Sequence, residues 1–284
     1  MTGSNKPPAE PARTVAVVTH GQLEAIGEGI ARLERVAGEA GVGIVYSKEE
    51  AEKHDRDADA ADFQKVDLVV VLGGDGTMLR ALRRTLGTGT PVVGVNFGEV
   101  GFLTSIKAEA LEDGLTRVFA GEYVVAELPT LDIEKGTDRH VAVNDIVVAS
   151  SIIGRMIDLG WAVGGEDLGA VPCDGVLCST PSGSTGYNLS NGGPVLVWGL
   201  DAQVVTFIAP HSLHARPLVV PRSRDVEIEN RTADVAAAVL VDGQPVGELA
   251  TGERVVVRLG EQPSLLAHLP EATFFRRYRE TFAS

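Results

Sequence analysis

The chain has 284 residues, of which 44% are hydrophobic and 23% charged, and its formal net charge is −14. No apolar run approaches the roughly 20 residues that a membrane-spanning helix needs, and the negative charge argues against nucleic acid and anionic membranes as main partners. The length favours two domains.

Cys173 and Cys178 are the only cysteines, which is too few for a secreted disulfide framework and a poor set for zinc. We therefore expect both to be reduced, in a cytoplasm. Residues 1–12 are rich in Pro, Ala and Gly and lack a signal-peptide pattern, so we expect them to be disordered.

The N-terminal part of the chain alternates strand and helix patterns. Residues 14–19 form a β-branched run that predicts a first strand, and apolar residues then recur at helical spacing over 23–36. Residues 44–46 predict a second strand. His20, at the end of the first strand, is either a ligand contact or a solvated turn histidine. The charged segment 48–61 is typical of a solvated helix or loop.

Residues 66–82 form the centre of this pattern. The apolar run 66–72 predicts a strand buried on both faces. It ends at Gly73-Gly74-Asp75-Gly76-Thr77, and the spacing that follows predicts a helix from near Thr77. Strand, glycine turn and helix in this order place backbone N–H groups at the carboxyl edge of a sheet, where phosphate binds. Asp75 would repel phosphate unless it binds a metal, accepts a hydroxyl proton or hydrogen-bonds a sugar; the alternative is that it caps the helix.

A second ligand-facing loop is predicted beside the first. Residues 91–96 predict another buried strand, which leads into the glycines and aromatic residues of 97–103. Residues 108–120 predict a helix. The alternation of strands and helices predicts a doubly wound parallel sheet, in which ligands bind beyond the carboxyl ends of the strands.

From Gly121 onward the pattern changes to short strands and turns, which predicts a second, all-β domain without a clear helix between 123 and 262. Asn144 and Asp145 fall inside the predicted strand 140–149, where a polar pair is either functional or marks a bulge. Asp242-Gly243 predicts a hairpin turn. Residues 274–282 predict a terminal helix that packs back on the first domain.

Residues 174–195 are the most unusual stretch of the second domain, because hydroxyl, amide and glycine residues stand there between two apolar segments. A long polar loop in a compact protein is either functional or disordered, and the flanking strands favour order. The G-x-S-x-G pattern of a hydrolase nucleophile is absent. Neutral donors and acceptors with one tyrosine favour binding of a polar, aromatic, sugar-bearing ligand over covalent catalysis.

Together these motifs resemble those of the NAD kinase family, and the resemblance covers nearly the whole chain past residue 13. The glycine turn alone also occurs in lipid kinases and phosphofructokinases, whereas the long serine, threonine and glycine motif is specific. Four motifs match in order: Gly73 to Thr77, Gly101-Phe102-Leu103, Asn144-Asp145, and Asp174 to Pro194.

The resemblance implies an N-terminal Rossmann-like doubly wound α/β domain and a C-terminal β-sandwich, with the dinucleotide in the crevice. The implied boundaries are 13–122 with a returning helix at 270–284 for the first domain, and 123–269 for an NAD-binding β domain. The implied reaction is transfer of the γ-phosphoryl group of ATP, or of a phosphoryl group of polyphosphate, to the 2′-hydroxyl of the adenosine ribose of NAD⁺. It needs Mg²⁺ or another divalent cation.

The resemblance also implies roles for individual residues. Asp75 contacts the ribose hydroxyls and serves as general base. Asn144 and Asp145 hold the adenosine ribose, and Asp174 faces the nicotinamide end. The other implied positions are the phosphate-loop residues Gly73, Gly74 and Thr77, and the substrate-binding residues Gly76, Phe102, Thr185, Gly186, Tyr187 and Ser190.

Three positions depart from the family pattern. Asp145 stands where the family often has Glu, and the shorter acid is expected to shift sugar contacts. Gly186 stands where many members have Ala. Pro172 stands where an Arg or Lys is common, which puts phosphate or subunit contacts there in doubt.

Two other functions share part of this pattern, and an oligomer is expected. A lipid kinase would need a basic or apolar membrane-facing surface, which a charge of −14 disfavours. A dinucleotide sensor without catalysis would lose the base, yet Asp75 is present. The resemblance implies a homodimer or homotetramer, and the mixed apolar segments 163–171 and 207–218 either form its interface or fill the sandwich.

Overall fold

The computed structural model describes residues 10–21, 23–58, 63, 65–98, 101–135 and 138–283. They form two compact units, one that ends at Glu127 and resumes at Ser264, and one that spans Leu128–Pro263. Residues 1–9 of the predicted disordered start lie outside the described residues. Ala12 is buried, and its N–H donates a hydrogen bond to the carbonyl of Phe119 at 3.0 Å.

The first part of the chain alternates strands and helices, as the sequence predicts. In the first helix Ile26, Ile30, Leu33 and Val36 are buried, and every residue of the strand before the glycine turn is buried. The elements are β1 (Thr14–Thr19), α1 (Leu23–Ala40), β2 (Gly43–Tyr46), α2 (Lys48–His54), β3 (Leu68–Gly73), α3 (Asp75–Arg84), β4 (Val92–Asn96), β5 (Ile106–Lys107), a 3₁₀ turn (Ala108–Ala110), α4 (Leu111–Phe119) and β6 (Val124–Leu128).

Residues 48–61 are predicted to form a solvated helix or loop, and the described part of this segment differs from the prediction only in its burial; residues 59–61 lie outside the described residues. Residues 48–54 form α2, whose N-cap Ser47 accepts the N–H of Glu50 at 3.4 Å. Glu50 and Ala51 are buried. A buried carboxylate needs donors, and these come from Thr19, Lys53 and Arg80.

The second unit consists of short strands that form two antiparallel six-stranded sheets, with orders β11-β10-β15-β18-β7-β8 and β14-β13-β12-β9-β16-β17. Buried apolar side chains from both sheets form one core, which confirms the predicted β-sandwich. The elements are β7 (Leu131–Lys135), β8 (Asp138–Ala142), β9 (Asp145–Ser150), β10 (Ile157–Val163), β11 (Glu166–Cys173), β12 (Gly175–Ser179), a 3₁₀ turn (Gly183–Thr185), α5 (Tyr187–Ser190), β13 (Ala202–Ile208), β14 (Leu218–Pro221), β15 (Val226–Asn230), β16 (Ala237–Val241), β17 (Gln244–Leu249) and β18 (Arg254–Leu259). The two short helical turns at 183–190 correct the expectation that this domain has no helix.

The chain then returns to the first unit through β19 (Ser264–His268) and α6 (Phe274–Phe282). The first sheet has the order β2-β1-β3-β4-β19-β6, with β5 paired to β4. Strands β1, β2, β3, β4, β5 and β19 pair in parallel. Because the carboxyl ends of parallel strands meet at one edge, the ends of β1, β3 and β4 lie together there, where the glycine turn follows β3.

Candidate active site

The glycine turn joins β3 to α3 at this edge of the first sheet. Gly73 is the last residue of β3, Gly74 is the N-cap of α3, and the helix begins at Asp75, two residues before the predicted start. The first N–H groups of a helix have no intrahelical acceptor. The turn therefore offers backbone donors and the positive end of the helix dipole to an anion, as the sequence predicts.

Asp75 does not cap the helix. Its Oδ2 accepts the N–H of Phe102 at 2.7 Å and its Oδ1 accepts the N–H of Leu103 at 3.0 Å. A Cβ on Gly101 would collide with the carboxyl group of Asp75, so the neighbouring loop approaches closely only because that residue is glycine. Both carboxylate oxygens are fixed in position, and each keeps a further lone pair for a hydroxyl donor.

The loop that holds Asp75 is itself held by the C-terminal helix. The Nη1 of Arg277 on α6 donates to the carbonyl of Phe102, and its Nε donates to Ala272 at 3.3 Å. Burial lowers the pKa of Arg277 to about 10, and the negative charge of Asp75 acts in the opposite direction. The ring of Phe102 is buried, with its centroid 6.0 Å from that of Phe274 and 5.6 Å from that of Phe282.

Sequence reasoning missed Arg277. Its position three residues after Phe274 places the two on one face of α6, and this spacing was the available signal. The family resemblance also implies that Phe102 packs near adenine, and this stays a prediction, because the described contacts of its ring are with α6.

A cavity of about 510 Å³ opens beside the glycine turn. Its lining includes Gly73, Gly74, Gly76, Thr77, His20 and Arg80. His20 therefore lies beside the predicted phosphate site rather than at a remote turn. Arg80 was not singled out from the sequence, although its place three residues after Thr77 puts both on one face of α3.

In the second unit, Asn144 lies outside the strands and Asp145 is the first residue of β9. The predicted strand 140–149 is two strands in two different sheets, β8 and β9, and Asn144 stands where the chain crosses between them. A bulge is therefore not the explanation of this polar pair. The carboxylate of Asp242, in the β16–β17 turn, accepts the N–H groups of Val143, Asn144 and Asp145 at 2.9, 2.8 and 3.1 Å.

Asn144 and Asp145 at this crossing have polar side-chain groups that are buried and poorly compensated. The Oδ1 of Asn144 is buried and accepts no hydrogen bond from the described residues. The side chain of Asp145 is buried, and this burial, with the nearby charge of Asp242, raises its pKa to about 7. Perturbed groups of this kind are common at functional sites, where a ligand supplies the missing partner.

The hydroxyl-rich segment after the crossing divides into two sets of side chains. One set is buried and fixes the backbone: Thr180 and Ser182 donate to the carbonyl of Val143 at 2.7 and 3.0 Å, and Asn188 donates to Ser184 and Pro194, both at 3.0 Å. The predicted loop 174–195 is thus partly regular, since β12 occupies 175–179. The other set is exposed or half-buried and remains available to a ligand: Thr185, Gly186, Tyr187 and Ser190.

Gly183 brings this segment against the crossing. A Cβ at Gly183 would collide with the backbone of Asn144. The N–H of Thr180 donates to the carbonyl of Asn144 at 2.9 Å. The structure therefore brings Asn144, Asp145 and the start of the hydroxyl-rich segment together.

Asp174 is not brought to the same place within one chain. Ser179 pairs with Asp145, whereas Gly175 pairs with Ala149, so Asp174 lies at the other end of β12. At 3.3 Å per residue this is about 17 Å away. Pro172, two residues earlier, lies on the edge strand β11, where proline costs no ladder hydrogen bond.

Among the described residues there is no cluster of three or more His, Cys, Asp or Glu side chains that could hold a metal ion. Both cysteines are buried free thiols, and burial raises the pKa of each to about 12, which makes them poor nucleophiles. In the described part of the chain, no helix is both long and apolar enough to cross a membrane.

Comparison with known proteins gives a consistent picture. A family model described as "ATP-NAD kinase N-terminal domain" matches residues 31–123, and one described as "ATP-NAD kinase C-terminal domain" matches residues 143–269. The chain is 42% identical over 223 residues to an NAD kinase of Heliobacterium modesticaldum, covering 77% of this chain and 79% of that protein. It is 39% identical over 220 residues to an NAD kinase of Gemmatimonas aurantiaca, covering 75% and 76%.

Two solved structures share the fold. A crystal structure of a yeast NADH kinase complexed with NADH has a TM-score of 0.84 at 23% identity, covering 96% of this chain and 88% of that one. A crystal structure of an NAD kinase from Archaeoglobus fulgidus in complex with ATP has a TM-score of 0.76 at 28% identity, covering 95% and 97%.

Proposed function

The chain belongs to the NAD kinase family, and from this we propose that Asp75 is the general base in transfer of the γ-phosphoryl group of ATP to the 2′-hydroxyl of the adenosine ribose of NAD⁺. The observation that carries the proposal is the fixed Asp75 carboxylate, held by two backbone N–H groups beside the glycine turn. A second kinase class, such as a lipid kinase, has no support in these matches.

The reaction needs one proton to move. The 2′-hydroxyl donates its hydrogen bond to a carboxylate oxygen of Asp75, and its oxygen attacks the γ-phosphorus. As the new O–P bond forms, the bond from the γ-phosphorus to the bridging oxygen of ADP breaks, and the hydroxyl proton passes to Asp75. Fixing the carboxylate in advance lowers the entropy cost of this alignment.

The glycine turn is proposed to hold the donor phosphates. The N–H groups at the start of α3 and the cavity beside them suit a triphosphate. The Archaeoglobus fulgidus NAD kinase complexed with ATP supports ATP as donor. A polyphosphate would meet the same groups, so the glycine turn alone does not select between the two donors.

Mg²⁺ is proposed to enter bound to the donor. Asp75 is the acidic residue of the glycine turn, and its oxygens already accept two N–H groups. Mg²⁺ characteristically binds substrate phosphates, one or two carboxylates and several waters, which fits this donor set. When bound, it neutralises the charge that develops on the transferred group.

The second unit is proposed to bind the dinucleotide. The unpaired Oδ1 of Asn144 and the buried carboxyl of Asp145 would accept ribose hydroxyl donors. The adenine pocket is assigned to Thr185, Tyr187 and Ser190, which are exposed or half-buried, and Gly186 is assigned to substrate binding beside them. Asp174 is assigned to the nicotinamide end.

We also propose a homodimer or homotetramer in the cytoplasm. Leu168, Leu213 and Leu218 lie in the two segments predicted to form an interface and are 42%, 88% and 39% exposed, whereas Phe207 fills the sandwich core. An interface between copies would cover these side chains. Two reduced, buried cysteines suit a reducing compartment.

The experiment that tests the proposed base is turnover of Asp75→Asn. NADP⁺ formation is measured with ATP and, separately, with polyphosphate, and we expect a loss of about 10²–10⁴-fold in kcat. Asp113→Asn, which removes an exposed carboxylate from α4 of the same unit, is the control and should keep its activity. Retention of more than half of the wild-type kcat by Asp75→Asn would refute the assignment, provided that circular dichroism and NAD binding show a folded protein.

A further inference from the structure

The cavity beside the glycine turn is unlike the rest of this acidic protein. The chain carries a net charge of −14, yet the lining contains no aspartate or glutamate among the described residues. It contains one arginine, Arg80, together with His20 and the turn glycines. A cavity of about 510 Å³ with this lining suits a polyanion, because no carboxylate among the described lining residues would repel it.

Arg80 lines this cavity, where it would contact a bound polyanion. It is four residues after Gly76 and three after Thr77 on α3, so the three residues share one face of the helix. All three line the cavity. The guanidinium group therefore stands one turn beyond the backbone donors of the glycine turn, along the same wall.

The guanidinium group is held rigidly from behind. Its Nη2 donates to the carbonyl of Thr19 at 2.5 Å and to Oε1 of Glu50 at 3.4 Å, and its Nη1 donates to Oε1 of Glu49 at 3.3 Å. The Arg80 side chain is still 37% exposed. Since Nη1 carries two N–H groups, one remains for a ligand beyond the bond to Glu49.

Glu50 is the fixed point of this arrangement. It is fully buried on α2, its Oε2 accepts the hydroxyl of Thr19 at 2.6 Å, and its Oε1 accepts Nζ of Lys53 at 3.1 Å. A carboxylate with these donors has little freedom to move. An arginine anchored to it loses less conformational entropy on binding an anion than a free surface arginine does.

The two glutamates do not cancel the positive charge. Arg80, Lys53 and Arg84 contribute three positive charges, and Glu49 and Glu50 contribute two negative ones, so this cluster keeps a net charge of +1. The direct contacts thus orient the guanidinium group while the cluster as a whole stays attractive to phosphate.

We propose that Arg80 binds the terminal phosphates of the phosphoryl donor and that Glu50 is the residue that positions it. This rests on the proposed function, since it assumes that the donor occupies the cavity at the glycine turn. The recognised chemistry is a chain of phosphates, which both ATP and inorganic polyphosphate supply.

The test compares Arg80→Met with Arg84→Met. Arg84 lies one turn later on the same helix and also pairs with Glu49, but it does not line the cavity, so it controls for the lost charge and helix effects. We expect Arg80→Met to raise KM for ATP by at least about tenfold, with KM for NAD⁺ within twofold of the wild type. Arg84→Met also removes one positive charge from the cluster but no residue that lines the cavity, so KM for ATP should rise by no more than about threefold and KM for NAD⁺ should stay within twofold.

Binding without turnover separates this proposal from the proposed base. Calorimetry of the full-length protein with ATP and with inorganic tripolyphosphate, each without NAD⁺, should show that Arg80→Met weakens both ligands by a similar factor. Loss of ATP affinity alone would mean that Arg80 acts on the nucleoside, and would overturn the proposal. These measurements stand even if Asp75→Asn remains active, because they do not depend on the base.

Glu50→Gln tests the positioning role. We expect KM for ATP to rise about threefold or more with kcat changed less, because the guanidinium group stays present but is less well fixed. An unchanged KM for ATP in folded Glu50→Gln would overturn the positioning role. An unchanged KM for ATP in Arg80→Met, or an equal rise in Arg84→Met, would overturn the whole proposal.

Discussion

Asp145 should destabilise the second unit at neutral pH, and Asp145→Asn should relieve this cost. Burial, with the charge of Asp242 beside it, raises the pKa of Asp145 from its ordinary value of 3.8 to about 7 in the folded state. Below pH 3.8 the carboxyl is protonated in both states and costs nothing. As the pH rises from 3.8 to about 7, the Asp145 carboxyl is ionised in the unfolded chain but still protonated in the folded one, so the loss of stability that it causes grows. Above about pH 7 this loss is constant.

The magnitude follows from the two pKa values. Their difference is 7 minus 3.8, and each pKa unit corresponds to 1.36 kcal/mol, which gives about 4 kcal/mol above pH 7. This is an upper limit, because any rearrangement that rehydrates the carboxylate reduces it. Between pH 5 and pH 8 the cost should grow by roughly 2–3 kcal/mol.

Urea unfolding followed by tryptophan fluorescence measures this quantity. The chain has two tryptophans, Trp161 and Trp198, and both belong to the second unit, so the signal reports that unit separately. The free energy of unfolding of Asp145→Asn minus that of the wild type should be larger at pH 8 than at pH 5 by roughly 2–3 kcal/mol. Any cost of burying the amide is the same at both pH values and cancels.

The control is Asp158→Asn, which removes an exposed carboxylate from β10 of the same unit. It reproduces the change in net charge without removing a buried group. If the stability difference for Asp145→Asn is the same at pH 5 and pH 8, or if Asp158→Asn gives the same pH dependence, the burial argument is refuted.

Four further outcomes follow from the site. Asn144→Ala should weaken the binding of NAD⁺ by roughly 1–3 kcal/mol in calorimetry, while the affinity for ATP is kept. An affinity for NAD⁺ equal to that of the wild type would contradict this prediction. Asp242→Asn should lower the affinity for NAD⁺ by about tenfold or more, since the three backbone N–H groups at the crossing lose a charged acceptor. An unchanged affinity would show that NAD⁺ binding does not depend on the Asp242 carboxylate. Arg277→Met should lower kcat by about tenfold through the loop that holds Asp75, whereas exposed Arg279→Met should not. Specific activity should fall on dilution as an oligomer dissociates; a fully active 29.9 kDa species at micromolar concentration in sedimentation would end that idea.

Local patterns predicted the scaffold well. The bounds of β1 and α6 agree with the sequence predictions, because each is a short element whose residue types and flanking turns favour one conformation. The helix at the glycine turn begins earlier than predicted, because Asp75 takes a helical conformation while its side chain serves the neighbouring loop.

Contacts between segments that are distant in the chain could not be predicted from local sequence patterns. Asp242 belongs to a predicted hairpin turn, yet its carboxylate binds the backbone of Asn144, 98 residues away in the chain. The crossing at Asn144 looked like the middle of one strand, because β8 and β9 are separated by only two residues and apolar residues stand on both sides of the polar pair, at 141–143 and 146–149. Glu50 looked solvated in a charged segment, since its buried partners come from β1 and α3.

The order of the first sheet has a consequence for the synthesis of the protein. Leu266 of β19 pairs with Val92 of β4, and the two residues are separated by 266 minus 92, or 174, positions in the chain. At a translation rate of about 5–20 residues per second, β4 waits roughly 9–35 s for this neighbour. The second unit is continuous from Leu128 to Pro263 and emerges from the ribosome entirely before β19 does. A nascent chain halted after Pro263 should therefore carry a protease-resistant sandwich beside an incomplete parallel sheet. Its exposed apolar β4 edge would make that intermediate, rather than the finished enzyme, the species that needs a chaperone.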